Sequence, residues 1–148
     1  SFAHQNVDTY EFEHDCLNVS HQFKRILSLQ IAAILVKRFV DGNPPLSASE
    51  ISDKIDIPIR LVQDILFELT EAGIVSEIKD ATYKQSSFQP ARDINQLTIC
   101  FVNDVLDKKG VNDIPVAQTE ELTRIQKSLK DFEEQARRSL GNTLLKDI

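Results

Sequence analysis

Residues 47–90 constrain the fold more strongly than any other part of the chain, because they hold the signals of a helix, a short turn and a second helix in that order. Ser47 and Glu50 stand three residues apart in the pattern of a capping box, in which each side chain accepts a hydrogen bond from a backbone N–H at the start of a helix. The residue before a proline avoids the helical conformation, so Pro58 ends this helix. The pattern predicts a short helix between Ser47 and Pro58.

A second helix is predicted over residues 59–72, followed by Gly73 as a left-handed cap. Its apolar residues recur along one side and are Leu61, Val62, Ile65, Leu66 and Leu69. The β-rich run at 74–79, the turn at 80–82 and the return strand at 83–89 predict a two-stranded wing. We therefore predict a mainly α fold with a small β-hairpin, a winged helix-turn-helix that is completed by C-terminal helices.

The flanking segments complete the predicted organisation. Residues 21–40 are apolar on more than one side, which is typical of a helix buried at the centre of a small domain. A helix is also predicted after the wing, capped at Asp93 and running to about Lys109. We predict a polar arm or linker at 1–17, a winged-helix domain at 18–110, and a linker with a C-terminal amphipathic helix at 111–148.

The last predicted helix, residues 117–140, carries a narrow apolar stripe. Its members step by three and four and are Leu122, Ile125, Leu129, Phe132, Ala136 and Leu140. A seam this narrow fits a partner helix, either from a second copy or from another protein, and it equally fits docking on its own domain. Leu122, Ile125, Leu129 and Phe132 are therefore candidate protein contacts.

The charge balance argues against nucleic acid as a partner. The formal net charge is −6, and residues 47–110 hold 7 Lys and Arg against 11 Asp and Glu. Because affinity for nucleic acid depends chiefly on neutralising phosphates, we do not expect tight binding to duplex DNA. Phe67 lies on the outward side of the second helix amid charged residues, which indicates a protein contact, unless the ring packs beneath the wing or the last helix.

If the chain does bind DNA, the candidate contacts lie on the second helix and the wing. A DNA-binding helix-turn-helix reads base edges with its second helix. Arg60 and Gln63 are then the candidate base contacts, and Lys79, Tyr83 and Lys84 are the candidate phosphate contacts.

The sequence contains no recognisable catalytic or metal-binding motif. His14, Asp15, Cys16 and His21 have the spacing of no common zinc site, and the four glycines form no phosphate-binding loop. We therefore expect no enzymatic activity, no metal and no cofactor. Cys16 and Cys100 are far apart, and no stretch reaches the roughly 18 to 20 apolar residues of a membrane span, so we expect reduced cysteines in a cytoplasmic domain.

Several segments together resemble one bacterial family. They are Val36-Lys37-Arg38-Phe39, residues 44–51, residues 57–62, residues 69–74 and residues 88–94. They resemble the cytoplasmic C-terminal extension of YihY/BrkB-type membrane proteins, also called ribonuclease-BN-like, over about residues 17–110. The resemblance implies that membrane-spanning helices precede Ser1 and that this chain is the cytoplasmic tail of an inner-membrane protein. The ribonuclease label supplies no catalytic residue here.

Three functions follow from these observations. The first is a non-catalytic winged-helix interaction or regulatory module that works through protein contacts. The alternative is a DNA-binding transcription regulator, since the middle of the chain also resembles winged-helix regulators of the Rrf2 type. The two cysteines alone cannot hold an iron–sulfur cluster of the usual multi-cysteine kind. The third, part of a ribonuclease, rests on the family label only.

Overall fold

The structure is a computed structural model that describes residues 18–79, 81–82 and 84–148. Its helices are α1 His21–Val40, α2 Ala48–Ile55, α3 Ile59–Glu71, α4 Ile99–Asp107 and α5 Glu120–Arg138, with a 3-10 turn at Leu145–Asp147. Its strands are β1 Leu46–Ser47, β2 Val75–Ile78 and β3 Ser87–Pro90. The predicted fold class, mainly α with a small antiparallel sheet in a winged helix-turn-helix, is confirmed. The predicted arm at residues 1–17 lies outside the described residues.

The helix-turn-helix consists of α2 and α3, and its local signals act as predicted. The Glu50 N–H donates to Ser47 Oγ over 3.2 Å, and the Ser47 N–H donates to Glu50 Oε1 over 3.1 Å, which completes the capping box. Asp56 ends α2 in the left-handed region at φ 56°, a conformation that Asp tolerates better than most residues. Pro58 then caps α3. The turn between the helices therefore spans residues 56–58.

The wing differs from the predicted hairpin in two ways: the return strand is Ser87–Pro90 and does not include residues 84–86, and one additional strand pairs with it. In the described part of the chain, β3 lies between β1 and β2 and is antiparallel to both, with Leu46 opposite Phe88 and Val75 opposite Pro90. Ser47 is extended because it caps α2, and this places Leu46 in position to pair with β3. The third strand therefore ties the start of the helix-turn-helix to the wing.

The core is organised around α1, which packs against α3, α4, β3 and the 3-10 turn. The fully buried side chains include Ile31, Leu35, Val36, Ile51, Val62, Ile65, Leu66, Leu69, Leu97, Val102 and Leu145. The predicted bounds of α1 are confirmed, with Ser20 Oγ accepting from the Phe23 N–H over 3.1 Å. Its central part is buried as expected, whereas Phe23 and Ile26 near its start are exposed.

The helix after the wing begins later than predicted, at Ile99 instead of after Asp93. The carboxylate of Asp93 accepts from the Asn95 N–H over 2.9 Å and so closes a local turn. Thr98 caps the helix instead, because its hydroxyl accepts from the Phe101 N–H over 3.1 Å. Both residue types are good caps, so local sequence alone did not distinguish them.

After α5 the chain returns to the domain. Leu145 is fully buried, and its N–H donates to the Leu97 carbonyl over 2.8 Å. The Ile99 N–H donates to the Thr143 carbonyl over 3.0 Å, beside an isolated bridge between Thr98 and Leu144. These bonds hold residues 143–145, which follow α5, next to the start of α4.

No residue of α5 itself is buried. The helix is shorter than the predicted 117–140, since Thr119 caps it and it ends at Arg138. Ile125 is 57% exposed, Leu129 55% and Phe132 63%, whereas Leu122 is partly buried. The described part of this chain therefore leaves the apolar stripe of α5 largely uncovered.

Candidate nucleic-acid interface

The outward surface of α3 carries one neutral ridge. Ile59, Gln63 and Phe67 follow one another at intervals of four residues, which places them one above the other on a helix. All three are exposed, Ile59 by 41% and Phe67 by 65%. Arg60 and Asp64 are also exposed and form the neighbouring side of the helix. The buried side consists of Leu61, Val62, Ile65, Leu66 and Leu69, as the sequence predicted.

The ridge faces an open groove of about 530 Å³ between α3 and the wing. Leu66 and Phe88 line it, and Lys84 lines it from the wing. Ser47 and Ser49, at the start of α2, also line it. The groove therefore brings together the two parts of a winged helix-turn-helix from which DNA contacts are expected.

Ion pairs change the charge that this surface presents. Glu68 accepts a hydrogen bond from Lys24 Nζ over 2.7 Å, which pairs an acidic residue of α3 with a cation of α1. Lys109 Nζ lies 5.6 Å from the centroid of the Phe67 ring, a cation–π distance. Glu71 lines the groove at the C-terminal end of α3. One cation therefore lies beside the outward ring and one acidic residue of α3 is paired, while Glu71 and Glu77 remain in the lining of the groove.

The structure brings some of the predicted site residues together. Gln63 and Lys84 line the same groove. Arg60 is exposed on the first turn of α3, and Lys79 is exposed where β2 ends. Tyr83 falls outside the described residues. The protein-contact candidates of α5 lie on a different element from the groove residue Phe67.

Sequence reasoning missed two features of this surface. Ser49 is absent from the predicted contacts although it lines the groove, and a serine hydroxyl at a helix start is a group that can contact phosphate. In the sequence, Lys109 marks only the approximate end of the helix that follows the wing. Nothing local signals its contact with Phe67, because the two residues meet only through the packing of separate elements.

No family model and no curated protein matches the sequence, but solved structures match the fold. CymR of B. subtilis, the global cysteine regulator, has a TM-score of 0.57 and 19% identity over 87% of this chain and 93% of that chain. A proposed transcriptional regulator from Listeria innocua has a TM-score of 0.56 and 22% identity over 84% and 81%. IscR of T. potens has a TM-score of 0.52 and 20% identity over 78% and 77%. At these identities the similarity shows the fold.

The resemblance to YihY/BrkB-type membrane proteins is corrected by these comparisons, because the structural neighbours are regulators. Among the described residues, no helix combines the length and the apolar character that crossing a bilayer requires. The membrane-protein and ribonuclease interpretations therefore have no support from the fold.

The expectation that nucleic acid is not a partner is also contradicted, since the neighbours with this fold include a global cysteine regulator and a proposed transcriptional regulator. A count of formal charges over residues 47–110 does not show which acidic residues of the winged-helix region are paired with cations from elsewhere in the chain. Two acidic residues in that range, Glu68 and Asp107, pair with Lys24 and Arg25 of α1 at 2.7 and 2.8 Å. Cations outside the counted range thus neutralise part of its acidity.

Proposed function

We propose that this chain is a DNA-binding transcription regulator of the winged-helix, Rrf2-like type. The observation that carries the proposal is the groove that α3 shares with the wing, in a fold whose similarity to CymR extends over 87% of the chain. The sequence favoured a protein-interaction module over a DNA-binding regulator, and the proposed function reverses that order.

The proposed complex follows from the dimensions of DNA. The major groove is about 12 Å wide and admits one α-helix. With α3 in that groove, Arg60 on its first turn and Gln63 one turn later reach base edges, as in other recognition helices. Lys79 and Lys84 at the wing then lie beside the phosphate backbone and supply the sequence-independent part of the affinity.

We expect duplex DNA to bind in a salt-dependent manner in fluorescence anisotropy titrations against a random-sequence duplex pool. Replacing Lys84 with Ala should weaken binding to all sequences alike and lower the slope of log K against log salt by about 0.9, the value for one lost phosphate contact. Replacing Arg60 with Ala should cost about 1–3 kcal/mol on the preferred sequence and relax specificity there.

Lys127→Ala is the matched control, because Lys127 is an exposed cation on α5, a different element from the groove. It should leave the affinity and the salt slope unchanged. The proposal is contradicted if no member of the pool binds in a salt-dependent manner, or if the Lys127 variant loses as much affinity as the Lys84 variant.

We also infer that α5 is a self-association surface whose occupant is α5 of a second copy. The stripe residues Ile125, Leu129 and Phe132 are more than half exposed, and Leu129 and Phe132 line a groove of about 450 Å³ between α4 and α5. The first turn of α5 is acidic and its last turn is basic, with Glu120 and Glu121 at one end and Arg137 and Arg138 at the other. Antiparallel pairing of two copies joins opposite charges, whereas parallel pairing joins like charges.

A further inference from the structure

We propose that the neutral ridge of α3 reads A·T base pairs, with the Phe67 ring and the Ile59 side chain against thymine methyl groups and the Gln63 amide on an adenine. This inference rests on the proposed function and names the DNA sequence class that the same surface recognises. It also gives Phe67, which the sequence suggested as a protein contact, a role within the DNA interface.

The length of the ridge suits a short run of base pairs. Ile59 and Phe67 are eight residues apart, and a helix rises about 1.5 Å per residue, so the ridge extends about 12 Å. Successive base pairs are about 3.4 Å apart, so this distance corresponds to three or four steps. The three side chains can therefore contact neighbouring base pairs in one major groove.

The chemistry of the ridge selects the bases. Thymine carries a methyl group in the major groove, and apolar side chains such as Phe contact it. The glutamine amide donates to N7 of adenine through its NH2 group and accepts from the adenine amino group through its oxygen, a bidentate pair that guanine does not match because O6 replaces the amino group. None of the three ridge residues is an Arg or Lys that would pair with guanine O6 and N7.

The ridge is exposed in the free protein, which supports a contact that forms only when DNA binds. Phe67 is 65% exposed on a helix whose opposite side is fully packed. Its ring lies in the groove with Gln63 and Lys84, the residues that the proposed DNA contacts need. Lys109 Nζ lies 5.6 Å from the ring centroid, so a cation is present beside the proposed contact. A duplex seated on α3 would therefore cover the ring.

The test uses the removal of single methyl groups from DNA. The full chain selects its preferred duplex from a random pool, and the selected thymines are then replaced one at a time by deoxyuridine, which lacks only the methyl. We expect affinity to fall about three- to fivefold at each contacted thymine, the amount expected for exposing one methylene-sized apolar group. Replacement of an adenine by 7-deazaadenine at the Gln63 position should weaken binding in the same way.

At one of the thymines that the wild type distinguishes from deoxyuridine, the Phe67→Ala variant should lose this discrimination. It should bind the two duplexes with equal affinity. Gln63→Ala should lose the sensitivity to 7-deazaadenine and keep the sensitivity to deoxyuridine. Phe39→Ala is the matched control, since Phe39 is a 53% exposed phenylalanine on α1, and it should discriminate like the wild type. Circular dichroism of each variant verifies that the fold is intact.

The outcomes separate this inference from the proposed function. Salt-dependent binding that is insensitive to deoxyuridine, or selection of G·C-rich sites, overturns the A·T inference and leaves the regulator proposal standing. A Phe67→Ala variant that still distinguishes thymine from deoxyuridine also overturns it and returns Phe67 to the role of a protein contact. Absence of binding to the whole pool overturns the proposed function and the inference with it.

Discussion

Replacing Leu66 with Ala is expected to lower the free energy of unfolding by about 2–5 kcal/mol, the range observed for large-to-small changes in a packed core. Leu66 is 1% exposed and belongs to the cluster formed by α1, α3 and the sheet. The truncation removes apolar contacts and leaves a cavity that the surrounding helices close only in part. Equilibrium denaturation in urea measures the change, and Ile65→Ala, at 0% exposure, should behave alike.

The neighbouring residue gives this prediction its control. Phe67→Ala removes a larger side chain from the next position of α3, but the ring is 65% exposed, so the loss of stability should be much smaller. Equal and large losses at positions 66 and 67 would place the Phe67 ring in the core. That result would contradict the outward ridge and, with it, the A·T contact proposed for the ring.

Replacing Leu129 and Phe132 together with Ser is expected to convert a dimer into a monomer. Both side chains lie in the middle of the exposed stripe of α5, where central apolar residues carry most of the energy of an interface. Sedimentation velocity over a concentration series measures the change as a halving of the mass. Leu140→Ser is the control, because Leu140 is 99% exposed and lies beyond the end of α5.

Charge reversal tests the antiparallel arrangement independently. A two-fold axis at Leu129 places residue 129 − 8 opposite residue 129 + 8, so Glu121 of one copy meets Arg137 of the other. Glu121→Arg or Arg137→Glu alone should weaken the dimer, and the two changes combined should restore it. A wild type that remains monomeric at high concentration, or a double Ser variant that remains dimeric, would refute self-association through α5.

The local structure was largely predictable because its signals are local. The capping box at Ser47 and Glu50 formed as expected, and Gly73 follows α3 at φ +73°, the left-handed conformation that glycine tolerates best. The bounds of α1 at His21–Val40 also agree with the prediction. Each of these features depends on groups within about four residues of one another, so the order of residues is sufficient to specify it.

The candidate site was predictable only in part. The exposed positions of Arg60, Gln63 and Phe67 follow from the period of the helix, because the packed side of α3 determines the outward side. The groove does not follow from that period, since it requires the wing to lie beside α3. The partner was harder still to predict from the sequence, because the charge count that argued against DNA did not include the ion pairs to α1.

The sequence by itself therefore determined the presence and order of the helices, the turn between α2 and α3 and the fold class, through capping, proline and apolar periodicity, but it misplaced the start of α4 and both ends of α5. Tertiary structure alone decided the features that join distant residues. These are the pairing of Leu46 with Phe88, the burial of Leu145 beside Leu97 and the ion pair between Lys24 and Glu68. These contacts arise from packing around α1, which brings together residues that are far apart in the sequence and share no local pattern.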